Sequence, residues 1–448
     1  MEHIVLNKGT KVWNWCNNNP TKAIIIWGMF VRLTIAFLYG HITLYPDSND
    51  YTILAERLLQ FNLSGYEGER PPGYSFFLCL TGLSNIGTVI IQFVIGICTL
   101  LITYKTLCLA KLSREFALIT TLLIASYLPS VFFEFAILTE SITLFLITSI
   151  FYCFVRQIKK ARPRTVYCIS ISLLCSYLVL TKMFYIYLPI LLFIVLAFRY
   201  KFCIKEFLIR GSSILVIPLL LFFGWSYINK INTGYFTSST FYGFNIAQNC
   251  VNFAEHTTPE YQEIGNIYAK YRDKDTKTKE IAMTIWEAYP ELRNNTGLSF
   301  PDLSKKFYDY SIATIKKNPG SYMKQVFISW RDFWKTSLYW ESYSFSVSQA
   351  STPILYICYM ERIVLQMVKI LFVLLIPYNI VQAIRRREIS LQTTFTFAIF
   401  IASILQAFAT YGTNSRFSYP FEILIIISVC INIREYKNYI YEKRKTVF

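Results

Sequence analysis

Asp47 and Asp50 stand three residues apart in Tyr45-Pro46-Asp47-Ser48-Asn49-Asp50-Tyr51, just after the first apolar stretch of the chain, and Arg70 follows in Glu69-Arg70-Pro71-Pro72-Gly73-Tyr74. A carboxylate can take a proton from an attacking hydroxyl, and fixed cations can hold the negative charge of a departing phosphate. A chain that only had to turn round at a membrane surface could do so in a few residues, so this long polar insertion reads as chemistry at the interface. Other ionisable residues fall inside or at the edge of apolar stretches, where charge is costly and marks function. Arg32 lies within the first stretch, Glu134 and Glu140 bracket a turn, Lys182 separates two stretches, and Arg416 opens the last one. Only Arg32 reads as deep. Arg70, Lys182 and Arg416 are the candidate phosphate cations, the arginines suited to bidentate contact and the lysine acting as a point charge. Asp47 or Asp50 is the candidate base, and the set as a whole suits transfer from a lipid-borne phosphate. Plainer roles stay open for each. Asp also caps helices and turns, Arg70 can snorkel at headgroup level, Glu140 can bridge to Lys182, and Arg32 can pair with a polar neighbour.

The elements that must position these residues are set by hydropathy. The 448 residues are 54% hydrophobic and 16% charged, with mean hydropathy +0.39, far more apolar than a soluble chain of this size. Apolar stretches near 23–45, 86–109, 115–133, 136–155, 165–181, 183–199, 208–228, 354–384, 390–411 and 417–433 each approach the roughly 20 residues that an α-helix needs to cross a bilayer. The net charge of +17 is no nucleic-acid footprint. Residues 229–352 hold 14 Lys/Arg against 12 Asp/Glu, leaving 30 basic and 15 acidic residues in the membrane part. Those basic residues fall on alternate loops, as in Lys105, Lys111 and Arg114, then Arg156 to Arg164, then Arg385 to Arg387, then the tail from Arg434 to Lys445. This positive-inside pattern predicts cytoplasmic termini, with 46–85 and 229–352 on the other side. The basic start runs into an apolar stretch with no small-residue cleavage site, which reads as an uncleaved anchor. Three scattered histidines, His3, His41 and His256, and eleven cysteines without a CxxC pair suggest neither metal nor disulfide framework, and no cofactor motif appears.

The expected architecture is an all-α polytopic membrane protein of about ten transmembrane helices, with interfacial helices in the first outward loop. Residues 1–228 form the first membrane region, carrying the catalytic loop 46–85. Residues 229–352 form a mainly helical outward segment, and 353–448 a second membrane region with a basic tail. Within the outward segment the pattern from Glu280 to Trp286 and that from Leu303 to Ile315 are helical, and Pro259, Pro290, Pro301 and Pro319 limit helix length. No internal repeat is visible, whereas many secondary transporters carry two related halves.

Several of these motifs together resemble a known family. Asp47-x-x-Asp50-Tyr51 after the first span, Arg70-Pro71-Pro72-Gly73-Tyr74, Leu138-Thr139-Glu140-Ser141, and Arg416-Phe417-Ser418-Tyr419-Pro420-Phe421-Glu422 follow the order seen in bacterial polyprenyl-phosphate-sugar glycosyltransferases of the GT-C fold. That group includes protein O-mannosyltransferases and aminoarabinose transferases acting on lipid A. Asn232-Thr233-Gly234-Tyr235-Phe236 and Tyr242-Gly243-Phe244-Asn245 are similar to a recurring element there. The resemblance covers the membrane region to about 250 and the last span, while 251–352 has no counterpart in it. It implies that Asp47, by motif position, deprotonates an acceptor hydroxyl that displaces a polyprenyl phosphate with inversion, without a metal. The acidic pair of some relatives is not adjacent here, since Ser48 follows Asp47, which leaves the part of Asp50 open. Asp47 and Asp50 are thus the catalytic candidates, and Arg70, Tyr74, Glu140, Lys182 and Arg416 the substrate and phosphate ligands.

Chain length and a low-charge composition rich in Phe, Ile and Tyr resemble the serotype-modifying glucosyltransferases. The expected activity is therefore transfer of a sugar, with glucose as the candidate, from a polyprenyl-phosphate donor to a cell-surface glycan such as O-antigen. The expected setting is a bacterial inner membrane with the site facing the periplasm. The partners would be that donor, a glycan or glycolipid acceptor and the bilayer, with no nucleic acid. The same chemistry on lipid A or protein is an alternative. So are a transporter or flippase of a lipid-linked saccharide, which would need functional charges deep in several spans, and a non-catalytic assembly subunit.

Overall fold

The computed structural model describes residues 11–274, 281–336, 344–412 and 414–445, so His3, Lys8 and Glu280 lie outside it. Among these residues the chain is helical throughout, and the only extended pairing is the single bridge Thr43↔Ala136. The first half contains α1 (Pro20–Tyr39), α2 (Pro46–Leu59), α3 (Pro72–Leu80), α4 (Asn85–Leu109), α5 (Arg114–Ser126), α6 (Leu128–Glu134), α7 (Glu140–Ile158) and α8 (Thr165–Thr181). It continues with α9 (Tyr187–Arg199), α10 (Ile204–Gly211) and α11 (Ser213–Thr233). The outward segment supplies α12 (Tyr242–Gln248), α13 (Gln262–Asp273), α14 (Thr284–Thr296), α15 (Phe300–Lys317) and α16 (Pro319–Phe333). The chain closes with α17 (Ser351–Arg386), α18 (Leu391–Ala409), α19 (Asn414–Ser418) and α20 (Glu422–Lys445).

The chain is a multi-pass membrane protein. Seven helices among the described residues are long and apolar enough to cross a bilayer, and two bent pairs bring the number to nine. The pairs are α5 with α6, bent by 57°, and Met183–Arg199 with Lys201–Gly211, bent by 83°. Each of the ten apolar stretches falls on one of these elements or on α8, whose 17 residues stand at the lower limit for a span. The outer faces read as lipid-facing stripes. Ile26, Phe30, Leu33 and Phe37 on α1, and Tyr356, Met360, Ile363, Met367 and Leu374 on α17, are exposed at helical spacing. The inner faces of α4, α7, α8, α18 and α20 share one large apolar core.

The first outward loop folds into α2 and α3, which pack on each other and are too short to span. The α2 start is fixed by Pro46 in its first turn and by Ser48, whose hydroxyl accepts from the Tyr45 N–H at 2.9 Å and donates to the Ile137 carbonyl at 2.8 Å. Ser48 thus anchors the helix bearing Asp47 to the segment leading into α7. Gly73 lets α3 press against the end of α8. A Cβ there would meet the Leu180 carbonyl carbon and the Thr181 nitrogen at 2.6 Å, and the Tyr177 hydroxyl donates to the Gly73 carbonyl at 3.0 Å. That contact brings the first loop beside Lys182.

In the outward segment α12, α14 and α15 close round a separate aromatic core. Phe244 stacks on Trp286 at 4.6 Å and on Phe300 at 4.8 Å, with Phe307 edge-on at 4.8 Å. Asn249 donates to the Ala407 and Phe408 carbonyls at 3.1 Å, and Trp330 to Ser403 at 3.1 Å, tying this layer to α18. The expected pattern from Leu303 to Ile315 lies within α15. The described part of the one from Glu280 to Trp286 is a 3-10 turn, Ile281–Met283, running into α14.

Candidate active site

Asp47 and Asp50 lie in the first turns of α2, on one face because they are three residues apart. Arg70 reaches back to both, with Nη2 at 2.8 Å from Asp47 Oδ1 and at 2.9 Å from Asp50 Oδ2, and Nε at 3.0 Å from the same Asp50 oxygen. Its backbone is clasped by Tyr66, whose hydroxyl accepts from the Arg70 N–H at 2.9 Å and donates to the Arg70 carbonyl. The guanidinium lies between two rings, Phe241 at 4.3 Å and Tyr51 at 5.3 Å from their centroids.

Arg416, at the threshold of α20, joins this group to a second one. Its Nη1 is 3.3 Å from Asp47 Oδ2, and its Nε is 2.9 Å from Glu140 Oε1. The same Glu140 oxygen receives Lys182 Nζ at 3.0 Å. Glu140 is fully buried at the start of α7, where the helix dipole also favours a negative charge. Lys182 sits where α8 ends in extended backbone (φ −144°), which turns its side chain towards α7. Asp50, Arg70, Asp47, Arg416, Glu140 and Lys182 therefore form one connected chain of ion pairs drawn from five separate segments. Three cations face three carboxylates.

Burial works against ionisation of Asp47, but the Arg70 and Arg416 charges outweigh it and hold the carboxyl below its ordinary range. Asp50, next to Arg70 alone, is raised by burial in spite of that cation. The two acids of the sequence motif thus differ in environment: Asp47 bridges two arginines and Asp50 orients one. Glu69, beside Asp50 and Glu67, is raised to about 7, chiefly by burial and then by those like charges.

Tyr74 stands apart from the network. It is wholly buried, with its hydroxyl donating to Gln92 Oε1 at 3.3 Å and its ring edge-on to Tyr51 at 5.1 Å, so it backs α2 from behind. Gln92 in turn donates to the Glu134 and Ala136 carbonyls, holding the turn that leads to Glu140. Arg32 and Glu134 form a buried bidentate pair, Nε–Oε2 2.7 Å and Nη2–Oε1 2.5 Å, with no link to the six-residue network.

Arg32 is not the only cation buried in the bundle. Lys369, in the middle of α17, is fully buried and pairs with Glu422 at 2.8 Å, while also donating to the Ser418 hydroxyl at 3.0 Å. A lysine inside so apolar a stretch is itself the signal, since such a charge must find a partner. Ser418 donates to the Ser415 carbonyl at 3.0 Å, so this pair braces the turn that presents Arg416. Tyr66, Phe241 and Glu69 were also beyond sequence reading. Among the described residues no group of three or more His, Cys, Asp or Glu side chains could hold a metal ion.

No family model matches the chain, and no curated protein does. Among solved structures it aligns with the archaeal oligosaccharyltransferase AglB from Archaeoglobus fulgidus, in complex with an inhibitory peptide and a dolichol-phosphate, at TM-score 0.48 and 11% identity over 97% of this chain. The apo form of the Archaeoglobus fulgidus oligosaccharyltransferase gives 0.48 and 12% over 95%. ArnT from Cupriavidus metallidurans bound to undecaprenyl phosphate gives 0.36 and 13%, over 89% of this chain and 77% of ArnT. The chain spans about half the length of the archaeal enzyme, 52%. At these TM-scores the alignments fix neither the fold nor the activity of the chain.

Proposed function

We propose that this protein is an inverting GT-C-like membrane glycosyltransferase that moves a sugar from a polyprenyl-phosphate donor to an acceptor hydroxyl. The observation that carries the reading is the convergence of Asp47 with Arg416, Lys182 and Arg70 in one partly open cluster. The acceptor oxygen attacks the anomeric carbon as the bond from that carbon to the phosphate oxygen breaks. The acceptor proton passes to the Asp47 carboxylate, and the bonding electrons leave with the polyprenyl phosphate. Arg416 and Lys182 stabilise the charge that gathers on the leaving phosphate, and they are in place before it forms. Clamped by two arginines, Asp47 is ionised but a weak base. A donor phosphate that draws Arg416 to itself loosens the longest contact of the network, 3.3 Å, and raises the basicity of Asp47 when a substrate is present.

Asp50 then serves by orienting Arg70, and the Arg70 fork contacts the donor. Phe241, half-buried beside that fork, offers an apolar face for a sugar ring, while the buried Tyr51 backs the guanidinium. The acceptor is a cell-surface glycan such as O-antigen and the sugar is glucose, on the outward face of a bacterial inner membrane with both termini cytoplasmic. The test is transfer of radiolabelled sugar from synthetic polyprenyl-phosphate glucose by the purified protein. Asp47→Asn, which keeps shape and hydrogen bonding, lowers the rate by at least 100-fold if the carboxylate is the base. Transfer by Asp47→Asn at the wild-type rate would sink the mechanism.

A further inference from the structure

A second cluster of charge lies a full helix length from Asp47. Glu140 opens α7, and Arg156, Lys159 and Lys160 stand at its other end, 19 helical residues away, or roughly 28 Å. There the end of α7 and the end of α4 border an open cavity of ≈ 550 Å³ whose cations are exposed to the surroundings. Four cations line it: Lys105 from α4, and Arg156, Lys159 and Lys160. Tyr104, Tyr152, Cys108 and Leu109 complete the wall, and no carboxylate lines it. Arg156 is oriented by the Tyr152 hydroxyl at 2.8 Å and lies over the Tyr152 and Tyr167 rings. Lys159 donates to the Leu109 carbonyl, and one more cation, Arg434, stands at the rim on the Ala110 carbonyl.

Of the nearby acids, Glu115 is engaged with Asn17 at 3.4 Å, and Glu435 lies at the rim with Arg434 at 3.5 Å but does not line the cavity. Burial, and then the Lys111 and Arg434 charges, push the Lys159 ammonium below its ordinary range, as expected where like charges crowd without a counterion. Charges that served only to orient the chain in a membrane would need no cavity and no aromatic wall.

We propose that this cavity is a phosphate-anion site filled by the headgroup of an anionic phospholipid. The depth decides in favour of a lipid. One turn further into the bundle, the flanking helices expose Phe116 and Ile119 on α5, and Val166 and Ile169 on α8, to the surroundings. The cations therefore stand where headgroups meet acyl chains, and basic pockets between spans at that level suit lipid phosphates. The site is independent of the Asp47 cluster and of the proposed transfer reaction.

The test uses the full-length protein in mild detergent, titrated with short-chain phosphatidylglycerol, phosphatidylcholine or inorganic phosphate and read by native mass spectrometry. Two variants accompany it. Lys105→Gln/Arg156→Gln/Lys160→Gln removes three charges and leaves Lys159 on its carbonyl, while Lys105→Arg/Arg156→Lys/Lys160→Arg keeps them. Phosphatidylglycerol should bind saturably and phosphatidylcholine should not. The neutral variant should bind on the order of 100-fold more weakly, from about fivefold per charge, and the charge-retaining one within a fewfold of wild type. If the neutral variant does not fold, raising salt on the wild type from about 0.1 to 1 M, which cuts the screening length from roughly 10 to 3 Å, should weaken phosphatidylglycerol binding alone. Equal binding of both lipids, or an unchanged neutral variant, overturns the site. Inorganic phosphate saturating it at the same concentration overturns the lipid assignment.

Discussion

Arg416 is the side chain on which both halves of the proposed mechanism meet, so its removal separates structural from chemical roles. Arg416→Ala takes away the ion pairs to Glu140 at 2.9 Å and to Asp47 at 3.3 Å. Glu140 is fully buried, and stranding one partner of a buried pair costs about 3–5 kcal/mol. Lys182 remains on the same carboxylate at 3.0 Å, so the stability loss should fall near the lower end, about 3 kcal/mol. The kinetic loss has another origin. A preorganised donor aimed at developing charge is worth about 3–4 kcal/mol, so transfer by Arg416→Ala should fall by roughly 100- to 1,000-fold. Arg416→Lys keeps the charge but cannot reach Glu140 and Asp47 together, and should recover only part of the rate.

The decisive comparison is the double variant Arg416→Ala/Glu140→Gln. Neutralising Glu140 restores the charge balance that Arg416→Ala upsets, leaving Lys182 and Arg70 with Asp47 and Asp50, and the new amide carbonyl can still accept from Lys182, so the thermal midpoint in detergent should move part of the way back towards wild type. The leaving phosphate still lacks its cation, so radiolabelled sugar transfer should stay as slow as in Arg416→Ala. Non-additive stability alongside unrescued transfer is the signature expected of coupled neighbours with separate functions. If the double variant regains transfer together with stability, Arg416 acts only by neutralising Glu140, and its phosphate role is refuted.

Three further outcomes follow from the geometry. Asp50→Asn should slow transfer less than Asp47→Asn, by about tenfold, because one of two carboxylates orienting Arg70 remains; a loss equal to that of Asp47→Asn would make the two acids a functional pair. Glu69 has its carboxyl at about 7 against an ordinary 4.5, so the folded state holds a proton that the unfolded state has released between those values. Stability should therefore fall as pH rises from about 4.5 to 7 and level off above, and Glu69→Gln should flatten that slope in thermal unfolding at stepped pH; an unchanged slope removes Glu69 as its source. A methyl group at Gly96 would overlap both the Glu134 carboxylate and the Arg32 guanidinium, so Gly96→Ala should destabilise by about 3 kcal/mol in denaturant unfolding, and a shift under about 0.5 kcal/mol would show that the pair can move aside.

The spans were legible because crossing a bilayer is a local demand: about 20 apolar residues must follow one another whatever the tertiary contacts. Membership of the charged cluster was legible for a similar reason, since Asp47, Arg70, Glu140, Lys182 and Arg416 each break an apolar context at a span edge. Pairing was only half legible. Glu140 and Lys182 could be matched by their opposite signs, yet nothing local says that Arg416, 276 positions from Glu140, shares the same oxygen. Lys369 escaped because its stretch is so apolar that one lysine leaves the hydropathy of the helix intact, and Glu422 reads as part of the last span's opening motif. Tyr66 and Phe241 were hidden by abundance: with 33 Tyr and 37 Phe in the chain, no ring stands out until the fold brings it against Arg70.

What the fold adds is a reason for Lys369. The turn bearing Arg416 must hold a guanidinium between Glu140 and Asp47, and a turn at the mouth of a helical bundle is otherwise among the least constrained parts of such a structure. Lys369 reaches it from a long helix, binding Glu422 just beyond the turn and Ser418 within it, while Ser418 closes on Ser415. Removing one partner of so buried a pair would leave a bare charge in the bundle, which ties the position of Arg416 to the integrity of the membrane core. Ser48 does the same for Asp47 from the other side, by fastening α2 to Ile137. The proposed base and the proposed phosphate cation are thus each anchored to a different wall of the bundle. The 3.3 Å contact between them is the longest of the ion pairs in the network, and in the proposed mechanism it is the one that loosens to admit a phosphate.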